Sequence, residues 1–292
     1  MNYLLRTLIF LHLLNFWVSG VEAQVVKCRI CNSKTGAGVA YASIITQNAN
    51  RGCSADSLGY FFASLTDSIR VTAIGYAPLK MTIASLTPDA NELRVGYLSE
   101  LSLCMNELTI TGRKTGKYDT FKIKSYSKSD EKGTRYNAAG IQFAVKMENK
   151  LSKAGFVDWV SFKFSRDGGQ TPEATLRLRI YRVNSQNINL PGEDVLLENV
   201  VVKPRNGWVT IDLRRYNIPF PTSGIFVGLE WLESNVVTPK GGRVNPGVHY
   251  ALNSSCAYSV ECYRQNGWKP DTSFEQIGQA CMMLKMKVSV KQ

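Results

Sequence analysis

The sequence predicts an all-β chain of two antiparallel β-sandwich domains joined by a short basic linker. Three observations carry that prediction. After residue 24, apolar and polar residues alternate with period two through most of the chain, the pattern of strands with one buried and one wet face. Turn residues recur every ~8–12 positions, as in sandwiches. The composition shifts at 113–137, where RKTGKYDTFKIKSYSKSDEKGTRYN holds eight basic residues against three acidic and few aliphatics. No long amphipathic helix and no internal repeat is visible. With 44% hydrophobic residues over 292 positions the chain can bury real cores, which excludes wholesale disorder.

Residues 1–23 read as an export signal. Arg6 precedes an apolar stretch from Leu8 to Val18, shorter than the ~20 residues of a spanning helix. Val21-Glu22-Ala23 then offers a small-x-small cleavage site before Gln24, and a Gln in place of a Cys there argues against a lipoprotein anchor. No later apolar run is long enough to span a bilayer, so the expectation is an exported, soluble mature chain.

The first domain is expected over 24–112. Val25–Ile30 is a short β-rich run, Asn32-Ser33-Lys34-Thr35-Gly36 a turn, and Val39–Thr46 the next strand. Further strands are expected from Gly59 through Phe62 and over Ser68–Ile74, Leu79–Ile83, Leu93–Leu98 and Leu108–Thr111. Residues 113–137 read as a solvated tether with at most one short strand, at Tyr118–Ile123.

The second domain is expected over 138–292, with longer strands. Val160, Phe162 and Phe164 share one face, Trp159, Ser161 and Lys163 the other. Leu176, Leu178 and Ile180 alternate with Arg177, Arg179 and Tyr181, and Val209, Ile211 and Leu213 with Trp208, Thr210 and Asp212. Ile225, Val227, Leu229 and Trp231 form one face of the next strand. Asn266-Gly267, between Tyr263 and Trp268, is a strong hairpin signal. The chain closes with Leu284, Met286, Val288 and Val290 alternating with Lys285, Lys287 and Ser289.

In the first domain, Ser33-Lys34-Thr35-Gly36 followed by Val39, Ala42 and Ile44, then Gly52-Cys53-Ser54, Gly59-Tyr60-Phe61 and Ile69-Arg70-Val71-Thr72-Ala73-Ile74-Gly75-Tyr76, resemble the carboxypeptidase-regulatory-like domain, a small transthyretin-like β-sandwich. Two positions depart from that pattern: Cys28 stands where a Gly is usual, and Gly38 where a Pro is usual. The resemblance implies a sandwich common in envelope proteins of Gram-negative bacteria, hence a periplasmic, outer-membrane or cell-surface location. It carries no catalytic residue. Met105 to Gly112 resembles the segment that follows this domain in TonB-dependent outer-membrane receptors, but residues 113–292 are too few for a plug and barrel. The second domain has only a generic jelly-roll-like resemblance, which does not settle function.

The chemistry of the chain is narrow. Of two His, His12 lies in the leader and His249 alone remains, which excludes a three-His zinc site and the H-E-x-x-H motif. Cys28-Arg29-Ile30-Cys31 has redox or zinc spacing, but on a strand the pair is roughly 10 Å apart on opposite faces, too far for a disulfide. The seven Cys therefore read as structural; Cys256 and Cys262 could bridge adjacent strands. No G-x-S-x-G is present. Ser125-Tyr126-Ser127-Lys128 resembles the Ser-x-x-Lys of penicillin-recognising enzymes without the helical domain they need. No metal, cofactor or catalytic set is expected.

A binding reading rests on the aromatics and the basic excess, 35 Lys+Arg against 23 Asp+Glu for a net +12. All four Trp beyond the leader, 159, 208, 231 and 268, lie in the second domain, and a flat ring stacks well on a sugar or at an interface. Trp268 and Trp208 are the candidate ligand-binding aromatics, with Tyr263, Arg177 and Arg179 beside them; Arg177, Arg179 and Arg214 are a candidate basic strip. No nucleic-acid motif is present. The expected partner is a glycan or another envelope component, with acidic polysaccharide, lipopolysaccharide or phospholipid as electrostatic partners. Two alternatives stand beside this non-catalytic module: a glycan hydrolase using Asp158, Asp212 or Glu230, and a purely structural docking protein.

Overall fold

The structure, a computed structural model, describes residues 24–47, 52–101, 116–127, 131–137, 140–165, 175–232, 236–237, 243–244, 247–252, 259–263, 267–270 and 280–292. The leader read over 1–23, the strand at Leu108–Thr111 and the Cys256–Cys262 bridge lie outside them. Among the described residues the chain is all-β, with no α-helix and two single 3₁₀ turns, and no helix is long and apolar enough to cross a membrane.

The first domain contains β1 (Val25–Asn32), β2 (Ser43–Thr46), β3 (Gly52–Ser54), β4 (Tyr60–Ser64), β5 (Ser68–Thr72), β6 (Leu79–Thr82) and β7 (Arg94–Leu98). Two small sheets, ordered β4-β1-β7 and β3-β2-β5-β6, close over Cys28, Ile30, Ile44, Phe61, Ile69, Val71 and Leu98. Every pairing is antiparallel except β1 with β7, which is parallel. Gly59 shows why a glycine is needed: its φ is 85°, and a Cβ there would stand 2.4 Å from the Ile30 carbonyl oxygen. Cys28, Cys31 and Cys53 are free thiols, and burial pushes Cys28 and Cys53 up to about 11, so these two are inert near neutral pH.

The strand expected over Val39–Thr46 begins only at Ser43. Tyr41 adopts a left-handed φ of 55°, which breaks the extended chain. Its N–H donates to the Asp56 carbonyl at 3.1 Å, and its own carbonyl turns toward the second domain.

The second domain contains β8 (Tyr118–Lys124), β9 (Glu131–Tyr136), β10 (Ile141–Met147), β11 (Gly155–Ser165), β12 (Leu176–Val183), β13 (Pro191–Asp194), β14 (Val201–Val202), β15 (Gly207–Asp212), β16 (Pro219–Phe220) and β17 (Ile225–Trp231). It continues through β18 (Val236–Val237), β19 (Arg243–Val244), β20 (Gly247–Leu252), β21 (Ser259–Tyr263), β22 (Trp268–Pro270), β23 (Ala280–Met282) and β24 (Leu284–Lys291). A back sheet runs β13-β12-β17-β10-β21-β22. A front sheet runs β23-β20-β11-β24-β8, with β15 also on β11 and β9 on β20. Between them lies one apolar core that includes Phe143, Leu178, Val227 and Trp231 from the back and Val160, Phe162, Met286 and Val288 from the front. Each such side chain contributes ~1.5–3 kcal/mol on burial, so this core dominates the stability of the domain.

The tether read over 113–137 is corrected by the pairings. Tyr118–Lys124 pairs with β24 along seven residues, and Glu131–Tyr136 pairs with β20. Both belong to the front sheet. Their apolar content is low because β8 lies at a sheet edge: Ile123 packs on the core while Thr120, Phe121, Lys122 and Lys124 are exposed.

Arg177 joins the domains. It is 2% exposed, on the outer side of the back sheet. Its Nε and Nη2 donate to Glu230 Oε2 at 2.9 and 2.8 Å, and its Nη1 donates to Asn199 Oδ1 at 2.8 Å and to the Tyr41 carbonyl at 2.9 Å. Asn199 Nδ2 also donates to the Ala40 carbonyl at 3.3 Å. Truncation at Arg177 leaves the buried Glu230 carboxylate with only the longer Arg179 Nη1 contact at 3.8 Å, so Arg177→Ala is expected to cost about 3 kcal/mol in urea unfolding, the low end for a broken buried pair, whereas the apolar pair Arg177→Met/Glu230→Leu is expected to recover most of that loss. Equal losses in both variants would show that the ion pair itself, and not the stranded charge, sets the cost.

Candidate functional site

The outer side of the front sheet is built by register. Lys163 on β11 faces Trp208 on β15, and Ser161 faces Thr210. On the other flank of β11, Ser161 faces Lys285 and Trp159 faces Lys287 on β24. Beyond them Lys285 faces Lys124, and Lys287 faces Lys122, on β8. Alternation turns the apolar partners inward, so the residues left outside form a grid of lysines with Trp208 and Trp159 among them. Its spacing is about 5 Å between strands and about 7 Å along them.

The aromatic corner of this grid is ordered. Trp208 stacks on Tyr126 with ring centroids 5.9 Å apart and planes 22° apart. Lys285 Nζ sits 3.7 Å from the Trp208 ring centroid, a cation–π contact that holds the ammonium beside the ring. Lys285 is held below the ordinary lysine value by partial burial, and then by Lys124, Lys163 and Lys122. At the far edge of the face Asp212 is engaged by Arg214, whose Nε donates to Oδ1 at 3.0 Å.

The candidate residues separate onto opposite sides of the sandwich. Trp208 belongs to the lysine face. Trp268 lies on the back sheet, half-buried, its ring edge-on to Tyr181 at 5.2 Å and packed on Ala144 and Phe226. Tyr263 ends β21 opposite Ile141; its side chain lies outside the described residues. Arg177 and Arg179 are also on the back sheet and are not a surface strip. Arg179 reaches Asp194 Oδ2 at 2.9 Å and donates through Nε to the Tyr181 hydroxyl at 2.9 Å, while Tyr181 donates to Gln142 Oε1. Arg214 stands on the front side, after β15. The alternation correctly separates Arg177 and Arg179 from the apolar core, but it does not reveal that their own side is covered.

Of the carboxylates read as hydrolase candidates, Glu230 is separated from the other two, whereas Asp158 and Asp212 are neighbours on the front sheet, Asp212 standing opposite Trp159 and both acting on Arg214. Glu230 is held by Arg177 on the back, whereas Asp158, at the bulge in β11, accepts Ser289 Oγ at 2.9 and 2.7 Å on the front sheet. Ser125 Oγ donates to the Met282 carbonyl at 2.7 Å and accepts from the Leu284 N–H at 3.0 Å, a role in the backbone framework. His249 lies within β20, opposite Thr134. Among the described residues no group of three His, Cys, Asp or Glu gathers as a metal site. The lysine grid was the feature that sequence reasoning missed; its signal was the shared phase of Lys163, Lys285, Lys287, Lys122 and Lys124 on their strands.

No family model matches the chain, and no curated protein matches it. Among solved structures it is similar to a clostridial cysteine protease after propeptide cleavage, at 11% identity and a TM-score of 0.37, covering 82% of this chain and 52% of that one. It is also similar to infectious bursal disease virus, Gt strain, at 11% identity and a TM-score of 0.24, covering 85% and 54%. For the Gx strain the figures are 12%, 0.25, 91% and 59%. The chain thus spans little more than half the length of these structures, and likenesses so distant carry no argument about its chemistry.

The lowered Lys285 has a signed consequence. Its folded value lies below the unfolded one, so the folded chain sheds this proton first, and its contribution to stability rises with pH between the lowered value and the ordinary lysine value of about 10.4. The difference in Tm between the parent and Lys285→Gln is expected to change in the parent's favour across that window. A difference independent of pH would show that neither burial nor the neighbouring lysines depress Lys285.

Proposed function

We propose that this is an exported, non-catalytic envelope protein of a Gram-negative bacterium that binds an acidic glycan through the front face of its second, jelly-roll-like domain. The periplasm or outer-membrane surface is its place, and the carboxypeptidase-regulatory-like first domain is its scaffold. The single observation that carries the reading is the lysine grid around Trp208. The ammonium groups of Lys122, Lys124, Lys285 and Lys287 at strand spacing suit a polymer with a charge on successive sugars, and Trp208, stacked on Tyr126, holds the Lys285 ammonium in that row. An uncharged glycan would gain nothing from this concentration of positive charge.

The docking alternative has one observation in its favour. On the outer side of β4-β1-β7, Phe62 and Tyr97 are 66% and 56% exposed, beside Tyr60 with Lys27 and Arg29 over its ring. A stoichiometric partner recovered through that side, with no glycan dependence, would favour it.

Titration with polygalacturonate, neutral dextran and duplex DNA tests the main reading. Binding of polygalacturonate that weakens with salt, and no binding of dextran, is expected. Trp208→Ala should weaken polygalacturonate about tenfold, from ~1–2 kcal/mol of lost stacking and cation–π contact, and Trp268→Ala should leave it unchanged. DNA bound as tightly as the polysaccharide, or an unchanged Trp208→Ala, would sink the reading; release of shorter sugars would favour the hydrolase.

A further inference from the structure

Beside the lysine face, between β8 and the end of β10, the sandwich opens into a pocket of about 270 Å³. Four lysines line it: Lys122 and Lys124 from β8, Lys146 from β10 and Lys150 from the turn that follows. Glu148 is the one acidic residue of the lining, 3.9 Å from Lys150, so positive charge is in excess. The floor is apolar. Ile123 and Leu151 are partly buried against the sandwich core, and Met147 is part of that core.

We propose that this pocket binds an anionic amphiphile, with a phosphate monoester among the four lysines and the first methylenes of its chain on Ile123 and Leu151. Two features select this chemistry. Planar carboxylates are best matched by the arginine fork, yet among the described residues the lining holds no arginine, and ammonium groups act as point charges that suit a compact dianion. A purely hydrophilic anion would leave the apolar floor wet, whereas an attached chain covers it and gains ~25 cal/mol per Å² of apolar surface. The volume is just below the ~300–1,000 Å³ typical of ligand pockets, which fits a headgroup and a few methylenes, with the rest of the tail outside. The site shares Lys122 and Lys124 with the glycan face but does not depend on glycan binding there.

Calorimetric titration of the full chain with dihexanoyl phosphatidic acid, inorganic phosphate and dihexanoyl phosphatidylcholine tests the proposal. Phosphatidic acid is expected to bind at least tenfold more tightly than either comparison ligand. The double variant Lys146→Gln/Lys150→Gln is expected to weaken it about 30-fold, five- to sixfold for each lysine, and to leave polygalacturonate binding in place. If the double variant does not fold, Lys150→Gln alone reads the effect, since its side chain is 76% exposed. Co-sedimentation with phosphatidylcholine vesicles, with and without phosphatidic acid, separates a bilayer source from a monomeric one. Inorganic phosphate bound as tightly as phosphatidic acid removes the apolar floor from the argument, and equal binding of the two lipids removes the phosphate; either result, or an unchanged variant, overturns the proposal. Trp208→Ala, which should lose polygalacturonate and keep phosphatidic acid, tells failure of this site from failure of the glycan face.

Discussion

Arg177 and its partners decide which side of the second sandwich is open. A guanidinium at 2% exposure is tolerated only where its donors are answered, and here they are answered by Glu230, Asn199 and a carbonyl of the other domain. That carbonyl is presented by Tyr41, held in left-handed backbone, so the break in the first domain and the buried charge in the second form one joint. Arg179 and Asp194 extend the network, bringing its charges to two positive and two negative, and burial still pushes the Asp194 carboxyl up against the pull of Arg179. With Trp268, Tyr181 and Phe226 packed beside it, the outer side of the back sheet is spent on holding the molecule together.

This division also explains what was legible in the sequence. Period two names which residues share a face, and it placed Trp208 with Thr210 and Asp212, and Lys285 with Lys287 and Ser289, on outer faces. It does not say which strand lies beside which. The lysine grid arises because β24 sits between β11 and β8, a pairing of segments more than a hundred residues apart that no local pattern encodes. Nor does period two say what covers an outer face. Arg177 and Arg179 have the sequence pattern of solvated residues and are buried because another domain and a packed aromatic cluster lie over them. The short strand read at Tyr118–Ile123 is present as Tyr118–Lys124, whereas Glu131–Tyr136 is hidden for a related reason: an edge strand needs few inward aliphatics, so its composition is close to that of a linker.

A sheet that gathers Lys122, Lys124, Lys163, Lys285 and Lys287 carries a standing electrostatic cost. Neighbouring strands could have alternated the sign of their charges, as solvated faces do, and β15 does so at Asp212 with Arg214. On the rows that cross β24 and β8 no acid stands between the lysines among the described residues, and Lys285 is held low by partial burial first and by repulsion from the neighbouring lysines second. The Trp208 ring offsets part of it, because its negative face lies against the Lys285 ammonium. What remains is relieved by any anion that bridges the rows, and the relief is largest for a ligand that meets several lysines at once. Under the acidic-glycan proposal, the repulsion left in the free protein becomes a preference for multivalent anions over single ones, and one lysine exchanged for glutamate on this face would both stabilise the domain and weaken that preference.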